Sequence, residues 1–270
     1  GYVEMTEVYH FPNEIVTRDG LQCWDMEALF AHVVAGMRAC ADRGMIPATV
    51  GIDTWGVDYT LIDTAGNPLG PSVAYRDART SAMPALLDAA ISPEALYART
   101  GIARQPYNTV YQLMAEARAA DVCHRADARL LFTPCYLHHR LTGIARNEVS
   151  IASTSGLLNA RTGLWDSEVL AAAGIPKALL GDAPACSATL LGPLLPAVEG
   201  MVGYPCTVVL PASHDTASAY LAAPLSGEGA AVLSSGTWSL LGQELDAPIL
   251  TETARLAGFT NERGCGGHTT

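Results

Sequence analysis

The stretch Gly51-Ile52-Asp53-Thr54-Trp55-Gly56-Val57-Asp58 continues a short apolar run, Ala48 to Asp53, that has the character of a central β-strand. It places two carboxylates, a hydroxyl, an indole and two glycines where that strand ends. Ligands of open α/β sheets bind at this end, and Gly56 would let a ligand approach the backbone closely. An indole beside polar groups also suits a sugar. The alternative is that Asp53 and Asp58 cap turns while Trp55 belongs to the core, and spacing alone favours neither interpretation.

A second polar stretch, Ser213-His214-Asp215-Thr216, lies between a predicted strand, Cys206 to Leu210, and a predicted helix from Ala217. Three contiguous side chains cannot form a nucleophile, base and orienting group, because a catalytic triad converges from separate segments. A carboxylate at a helix N-terminus stays ionised, so Asp215 could accept a proton from a hydroxyl. On these residues alone, a plain N-cap is the more ordinary interpretation.

A third stretch is predicted to be a strand (Gly227 to Leu233), a tight turn (Ser234-Ser235-Gly236-Thr237) and another strand (Trp238 to Leu241). A Ser/Gly turn can hold a phosphate through backbone N–H groups and hydroxyls without a lysine. This matters because Lys177 is the only lysine and no Gly-rich loop precedes it. A Walker A loop or a protein-kinase strand is therefore excluded.

The remaining pattern predicts a mixed α/β fold. We expect a strand over Gly1 to Val8, a helix from an Asp25 N-cap to near Gly44, and a strand pair formed by Val57 to Asp63 and Val73 to Tyr75. The region from Thr80 to about Leu180 is predicted to be mostly helical. A boundary near Pro224-Leu225 would divide the chain into domains 1–224 and 225–270.

Composition limits the classes of partner. The formal charge of −11, with no basic cluster, argues against nucleic acid and anionic lipid, and no apolar stretch approaches the length of a membrane span. We expect a cytoplasmic protein whose seven cysteines are mostly reduced and buried. Cys135, His138 and His139 could share a helix face, but no paired C-x-x-C set completes a metal site, so none is predicted. The stretch Tyr107 to Gln112 is a minor candidate for a substrate wall.

Taken in order, three of these motifs and the stretch Val73-Ala74-Tyr75-Arg76-Asp77-Ala78-Arg79-Thr80 resemble the FGGY carbohydrate kinases. The likeness continues to Phe259-Thr260-Asn261-Glu262 and so covers nearly the whole chain. The resemblance implies an actin-like, ribonuclease-H-like fold of two lobes, with sugar held mainly by the first lobe and ATP in the cleft between them. We expect this chain to hold the N-terminal lobe and the start of the C-terminal lobe.

The resemblance also implies a sugar site. Asp215 would be the catalytic base, His214 and Thr216 would flank it, and the backbone of Gly56 would touch the sugar. Trp55 would shape the pocket, together with Asp53 and Thr54.

The implied nucleotide site uses the third stretch, in which Thr237 and Gly236 would contact the ATP phosphates. The reaction would transfer the γ-phosphoryl group of MgATP to the 1-hydroxyl of a ketose, with L-rhamnulose favoured and L-fuculose or xylulose as alternatives. The partners are thus a small ketose and ATP, with Mg²⁺ as the metal. The sequence carries no signal for an oligomeric state.

Two features of the family are missing from this sequence. The Asp/Gly/Ser-rich phosphate loop would precede Gly1, and the adenosine-binding half of the second lobe would follow Thr270. We therefore expect the chain alone to be inactive as a kinase. Two rival functions remain: an actin-like nucleotide-binding protein without a sugar substrate, and a ribonuclease-H-like nuclease using Asp53 and Asp58 on two metals. The acidic composition argues against the nuclease.

Overall fold

The structure is a computed structural model that describes residues 4–225, 229–236 and 238–270. It has the mixed α/β architecture that the sequence predicts. The strands are β1 (Ile15–Arg18), β2 (Leu21–Trp24), β3 (Thr49–Val50), β4 (Tyr59–Ile62), β5 (Ser72–Val73), β6 (Arg129–Phe132), β7 (Thr189–Pro193), β8 (Thr207–Leu210), β9 (Val232–Ser235) and β10 (Ser239–Gly242).

The α-helices lie mostly between β5 and β8. They are α1 (Met26–Asp42), α2 (Met83–Asp88), α3 (Pro93–Thr100), α4 (Thr109–Ala119), α5 (Thr133–Thr142), α6 (Val149–Ser153), α7 (Ser167–Ala173), α8 (Lys177–Leu180), α9 (Pro196–Val202), α10 (Asp215–Ala222) and α11 (Glu252–Leu256).

The strands form four small sheets, ordered β1-β2-β5, β3-β8-β7, β4-β6 and β9-β10. Among these strands, only β3 and β8 pair in parallel, with Thr49 opposite Thr207 and Val50 opposite Val208. Their C-terminal ends therefore face the same edge, which carries both polar stretches that come after them.

The first helix shows how the local sequence fixes an element. The side chain of Asp25 accepts a hydrogen bond from the N–H of Ala28 at 3.1 Å, so Asp25 is the predicted N-cap. Leu29, Phe30 and Met37 are buried on one face. That face packs against α9, and the hydroxyl of Tyr204 bonds to the carbonyl of Met37 at 2.9 Å.

Two parts of the strand prediction are wrong. The described residues Glu4 to Val8 form no strand, because a ladder needs a partner and they pair with none of the described residues. The hairpin β1-β2 comes first instead, turning at Asp19 and Gly20 with positive φ at both, as a type I′ turn requires.

The second error concerns β4 and β5, which exist but do not pair with each other. Strand β4 pairs with β6 and β5 pairs with β2, both antiparallel. All four residues of β4 are buried. The apolar sequence indicated a strand here, but it could not indicate which other strand would pair with it.

The last part of the chain packs on the first part. Strands β9 and β10 form an antiparallel hairpin with Ser235 opposite Ser239, in agreement with the predicted strand, turn and strand. Farther on, the buried amide of Asn261 donates to the carbonyl of Gly101 at 3.2 Å and to the hydroxyl of Tyr97 at 3.1 Å. Within the described ranges, no helix is long and apolar enough to cross a membrane.

Candidate active site

Two polar stretches about 160 residues apart lie side by side at the ends of β3 and β8. The N–H of Thr54 donates to the carbonyl of Ser213 at 3.1 Å, and the N–H of Asp215 donates to the carbonyl of Thr54 at 2.9 Å. These bonds extend the parallel pairing by a bridge between Thr54 and His214. The sequence placed each polar stretch after a strand, and the structure brings the two stretches together.

Asp215 is the first residue of α10, and His214 rather than Asp215 occupies the cap position. The Asp215 side chain is 57% exposed and faces the cleft. Its Oδ1 accepts from the N–H of Thr216 at 2.7 Å and from the Thr216 hydroxyl at 3.3 Å. The exposed part of the carboxylate can accept a proton from a hydroxyl.

A buried carboxylate holds this loop in place. Oε2 of Glu148, which is fully buried, accepts from the N–H of Ser213 at 3.1 Å and from the Ser150 hydroxyl at 2.6 Å. The Ser150 hydroxyl in turn accepts from the N–H of His214 at 3.1 Å. Glu148 also caps α6 through the N–H groups of Ser150 and Ile151. One side chain therefore fixes both the start of α6 and the backbone directly before Asp215.

Two indoles also form part of the wall of the cleft. The rings of Trp24 and Trp55 lie 4.4 Å apart between centroids. Both indole N–H groups donate to Oδ2 of Asp58, at 2.6 Å and 2.9 Å, while Oδ1 accepts from the amide of Gln112 at 3.2 Å. Burial raises the pKa of Asp58, and these three hydrogen bonds partly offset that rise.

This arrangement makes Asp58 a buried hydrogen-bond acceptor within the wall. The carboxylate is 1% exposed and faces two indoles and an amide, so it is not free to ligate a metal ion as the nuclease hypothesis requires. Asp53, earlier in the same stretch, is an exposed residue. Partial desolvation of its carboxyl group and the nearby charge of Asp215 raise the pKa of Asp53, against the effect of the Ser218 hydroxyl.

The backbone between the indole and Asp58 is strained. The N–H of Asp58 donates to the carbonyl of Gly56 at 2.9 Å, a three-residue γ-turn whose central residue, Val57, has a φ of 66°. A β-branched residue rarely adopts this conformation. Side chains hold it there: the Val57 N–H donates to the Thr154 hydroxyl at 3.0 Å, and its carbonyl accepts from the Thr109 hydroxyl at 2.7 Å.

Gly56 is required by close packing as well. A Cβ atom at this position would lie 3.1 to 3.2 Å from the side chain of Thr154. Thr154 therefore packs closely against Gly56. The sequence predicted that a ligand approaches this same backbone, and that contact stays a prediction. Such strain, held in place by surrounding bonds, is found at binding sites.

A cleft of about 1000 Å³ brings these pieces together. Apart from Asp53 and Thr54, every described residue that the sequence assigned to the sugar or nucleotide site lines it. The lining includes Trp24, Trp55, Gly56, Val57, Tyr75, Arg76, Tyr107, Thr154, His214, Asp215, Thr216, Ser234, Ser235, Gly236, Trp238, Thr260 and Glu262. Aromatic rings and the polar groups around Asp215 line it together, a combination suited to a small polyhydroxy ligand.

The hairpin turn includes Gly236, one of the two predicted phosphate contacts. Gly236 lines the cleft, and a side chain there would meet open space, but its N–H already donates to the carbonyl of Trp238 at 2.8 Å. The Ser235 and Ser239 hydroxyls are 2.9 Å apart and bond to each other. Thr237, the other predicted phosphate contact, lies outside the described residues. The turn thus offers a phosphate room and hydroxyls, but not the N–H of Gly236.

The residues that the sequence offered as minor candidates have different positions and contacts in the structure. Tyr107 lines the cleft, whereas Gln112 is buried behind the wall and bonds to Asp58. His138 accepts from the N–H of Ile52 at 2.9 Å, which is a structural role. In the part of the chain that the structure describes, no three His, Cys, Asp or Glu side chains gather as a metal site. Lys177 lines a separate cavity with Arg129 and Arg146.

Comparison with known proteins identifies the family. The profile described as the FGGY family of carbohydrate kinases, N-terminal domain, matches residues 5–222. The chain belongs to the FGGY family. Rhamnulokinase from Yersinia pestis (strain Pestoides F) is 41% identical over 268 residues, which cover 97% of this chain and 53% of that protein. Rhamnulokinase from Pectobacterium carotovorum is 40% identical over 267 residues, covering 98% and 53%. The chain spans about half the length of these curated relatives.

Solved structures agree on the fold. A xylulose kinase from Rhodospirillum rubrum superposes with a TM-score of 0.82 at 19% identity, covering 96% of this chain and 53% of that one. At this identity the likeness speaks for the fold alone. The predicted α/β fold of an FGGY sugar kinase, represented here by its N-terminal lobe, is confirmed.

Sequence reasoning missed Trp24, Thr154, Glu148 and Glu262 as parts of the candidate site. For Glu262 a signal existed, because the likeness to the family continues to that residue. For Glu148 there was none: its partner Ser213 lies 65 residues away, and no local pattern links them.

Proposed function

We propose that this chain forms the sugar-binding part of a kinase that transfers the γ-phosphoryl group of ATP to the 1-hydroxyl of L-rhamnulose, giving L-rhamnulose 1-phosphate. The names of the curated relatives support the substrate. The observation that carries the reaction type is the exposed Asp215 carboxylate at a helix N-terminus, inside a cleft with an indole wall.

Asp215 would orient the sugar hydroxyl and accept its proton as the phosphoryl group moves. Phosphoryl transfer depends mainly on alignment and charge neutralisation, so a single carboxylate suffices as the base. Its position relative to the sugar is set by the bonds from Glu148 and Thr54 to the loop before α10. The rings of Trp24 and Trp55 would pack against the apolar face of the sugar and exclude water.

His214 and Thr216 flank Asp215 in the proposed sugar site, and the backbone at Gly56 approaches the ligand from the wall. Ser234, Ser235 and Gly236 share the cleft with Asp215, which fits a phosphate near the transferred group. ATP would supply the phosphoryl group, as MgATP. The described residues form no cluster for Mg²⁺, and no step proposed for them depends on it. We further propose that residues 1–224 form the sugar-binding lobe and 225–270 begin the ATP-binding lobe.

A panel of ketoses tests the substrate. In the protein that carries this chain, ADP release should be stimulated most by L-rhamnulose and less by L-fuculose and D-xylulose. A stronger response to L-fuculose or D-xylulose would show that this ketose is the substrate instead of L-rhamnulose, with the reaction type unchanged. No stimulation by any ketose would contradict the kinase function and favour an actin-like nucleotide-binding protein.

A further inference from the structure

His214 connects two carboxylates in the cleft. Its ring is buried, with Nδ1 2.8 Å from Oε2 of Glu262 and Nε2 3.4 Å from Oδ1 of Asp215. The contact with Glu262 is an ion pair whose geometry falls short of a linear hydrogen bond. The backbone N–H of His214 is held by the Ser150 hydroxyl, so the backbone from which the ring extends is fixed.

The surroundings of this imidazole are strongly acidic. The ionisable groups that face it are Glu262 from the C-terminal segment, Asp215 from α10, Glu148 beside α6 and Asp53 after β3. Burial by itself would lower the pKa of His214, but the charge of Glu262, with smaller contributions from Asp215 and Glu148, outweighs burial and raises the pKa.

We propose that Glu262 is a positioning residue that keeps His214 protonated, so that the imidazolium presents one N–H to Glu262 and the other to the Asp215 carboxylate. A neutral imidazole carries a proton on one nitrogen only and could present an N–H to only one of the two carboxylates. The imidazolium places a positive charge beside the carboxylate that accepts the proton. The consequence for phosphoryl transfer rests on the proposed function; the ion pair itself does not.

Glu262 is well placed for this role because the backbone on both sides of it is anchored. Asn261 is tied to Gly101, and the N–H of Arg263 donates to the Ser153 hydroxyl at 2.9 Å. The N–H and carbonyl of Glu262 both pair with Thr270 at 2.8 Å. The side chain is 17% exposed and lines the cleft.

The test is an NMR titration of the His214 ring in this chain, with His214→Asn to assign the signal among the seven histidines. Glu262→Gln should lower the pKa of His214 by about one unit or more, and Glu262→Asp by less, because the nearby charge is the cause. Glu199→Gln removes an exposed carboxylate on α9 and serves as the matched control, with an unchanged pKa. An unchanged His214 pKa in Glu262→Gln would overturn the proposal.

In the protein that carries this chain, the kinetics of ketose-dependent ADP release give a second readout. If the imidazolium supports Asp215, the alkaline limb of the kcat/KM profile should move to lower pH in Glu262→Gln, by about the shift seen for His214. If Glu262 had a purely structural role, Glu262→Gln would lower the rate without moving the alkaline limb. That result would also overturn the proposal. If the His214 pKa shifts as expected but the protein that carries this chain phosphorylates no ketose, the ion pair is supported and the proposed function is contradicted.

Discussion

At the scale of single residues, the cleft depends on groups that are buried at a cost and held by specific partners. Asp58 is the clearest case, because one carboxylate satisfies two indole N–H groups and an amide in a buried site. Val57 is the second, because its strained φ persists only through bonds from Thr109 and Thr154.

The loss of stability on replacing Asp58 should therefore depend on whether a hydrogen-bond acceptor remains at this position. Asp58→Ala leaves two indole N–H groups without a partner and should destabilise the chain by roughly 2–4 kcal/mol. Asp58→Asn keeps an acceptor oxygen and buries no charge, so its cost should be clearly smaller. Urea denaturation gives both values, and equal costs for the two variants would contradict this account of the wall.

At the scale of elements, each loop of the site is fixed by a side chain from another element. Glu148 holds the loop between β8 and α10, and His138 from α5 holds the backbone that follows β3. These contacts join segments far apart in sequence, which explains why local patterns placed the strands and helices better than they placed the site's supports.

Glu148 should matter for turnover as well as for stability. Glu148→Ala removes the acceptor for the backbone N–H groups of Ser213 and Ile151, and should cost roughly 3 kcal/mol or more of unfolding free energy. Glu148→Gln should cost less, but it should lower kcat more than it changes KM, since Asp215 loses its alignment while the indole wall stays in place. A raised KM with unchanged kcat would contradict this role.

His138 predicts a pH dependence of stability. Its ring is fully buried, and burial lowers its pKa to about 4 from an ordinary value of 6.5. Between these values the unfolded chain binds a proton that the folded chain does not, so stability rises with pH and is lost as pH falls below 6.5. For this one group the loss between pH 7 and pH 5 should be roughly 2 kcal/mol.

The control for that prediction is His138→Gln, which places an acceptor near Nε2 and does not titrate. The difference in unfolding free energy between the two proteins, measured in urea, should shrink by that amount from pH 7 to pH 5. A difference independent of pH would show that His138 is already protonated in the fold or does not contribute.

At the scale of the whole molecule, the sequence predicted the mixed α/β fold, although its local signals indicated only separate strands and helices. Each of the two polar stretches was predicted to follow a strand, whereas the parallel pairing of β3 and β8 that brings them together was not predicted. The helix from Asp25 followed from its cap and apolar face. The strand expected near the start, the pairing of β4 and β5, and the use of the Gly236 N–H inside the turn all depend on partners that no local pattern specifies.

The central claim is that Asp215 is the base of a sugar kinase, and one paired measurement on Asp215→Asn tests it. In the protein that carries this chain, ketose-dependent ADP release should fall by about 10²- to 10⁴-fold, because an amide cannot accept the hydroxyl proton. Sugar binding, followed by the fluorescence of the indoles in the cleft, should stay within a few-fold of the parent. Asp121→Asn, an exposed carboxylate elsewhere, should change neither. Near-normal turnover in Asp215→Asn with sugar binding intact would contradict the assignment.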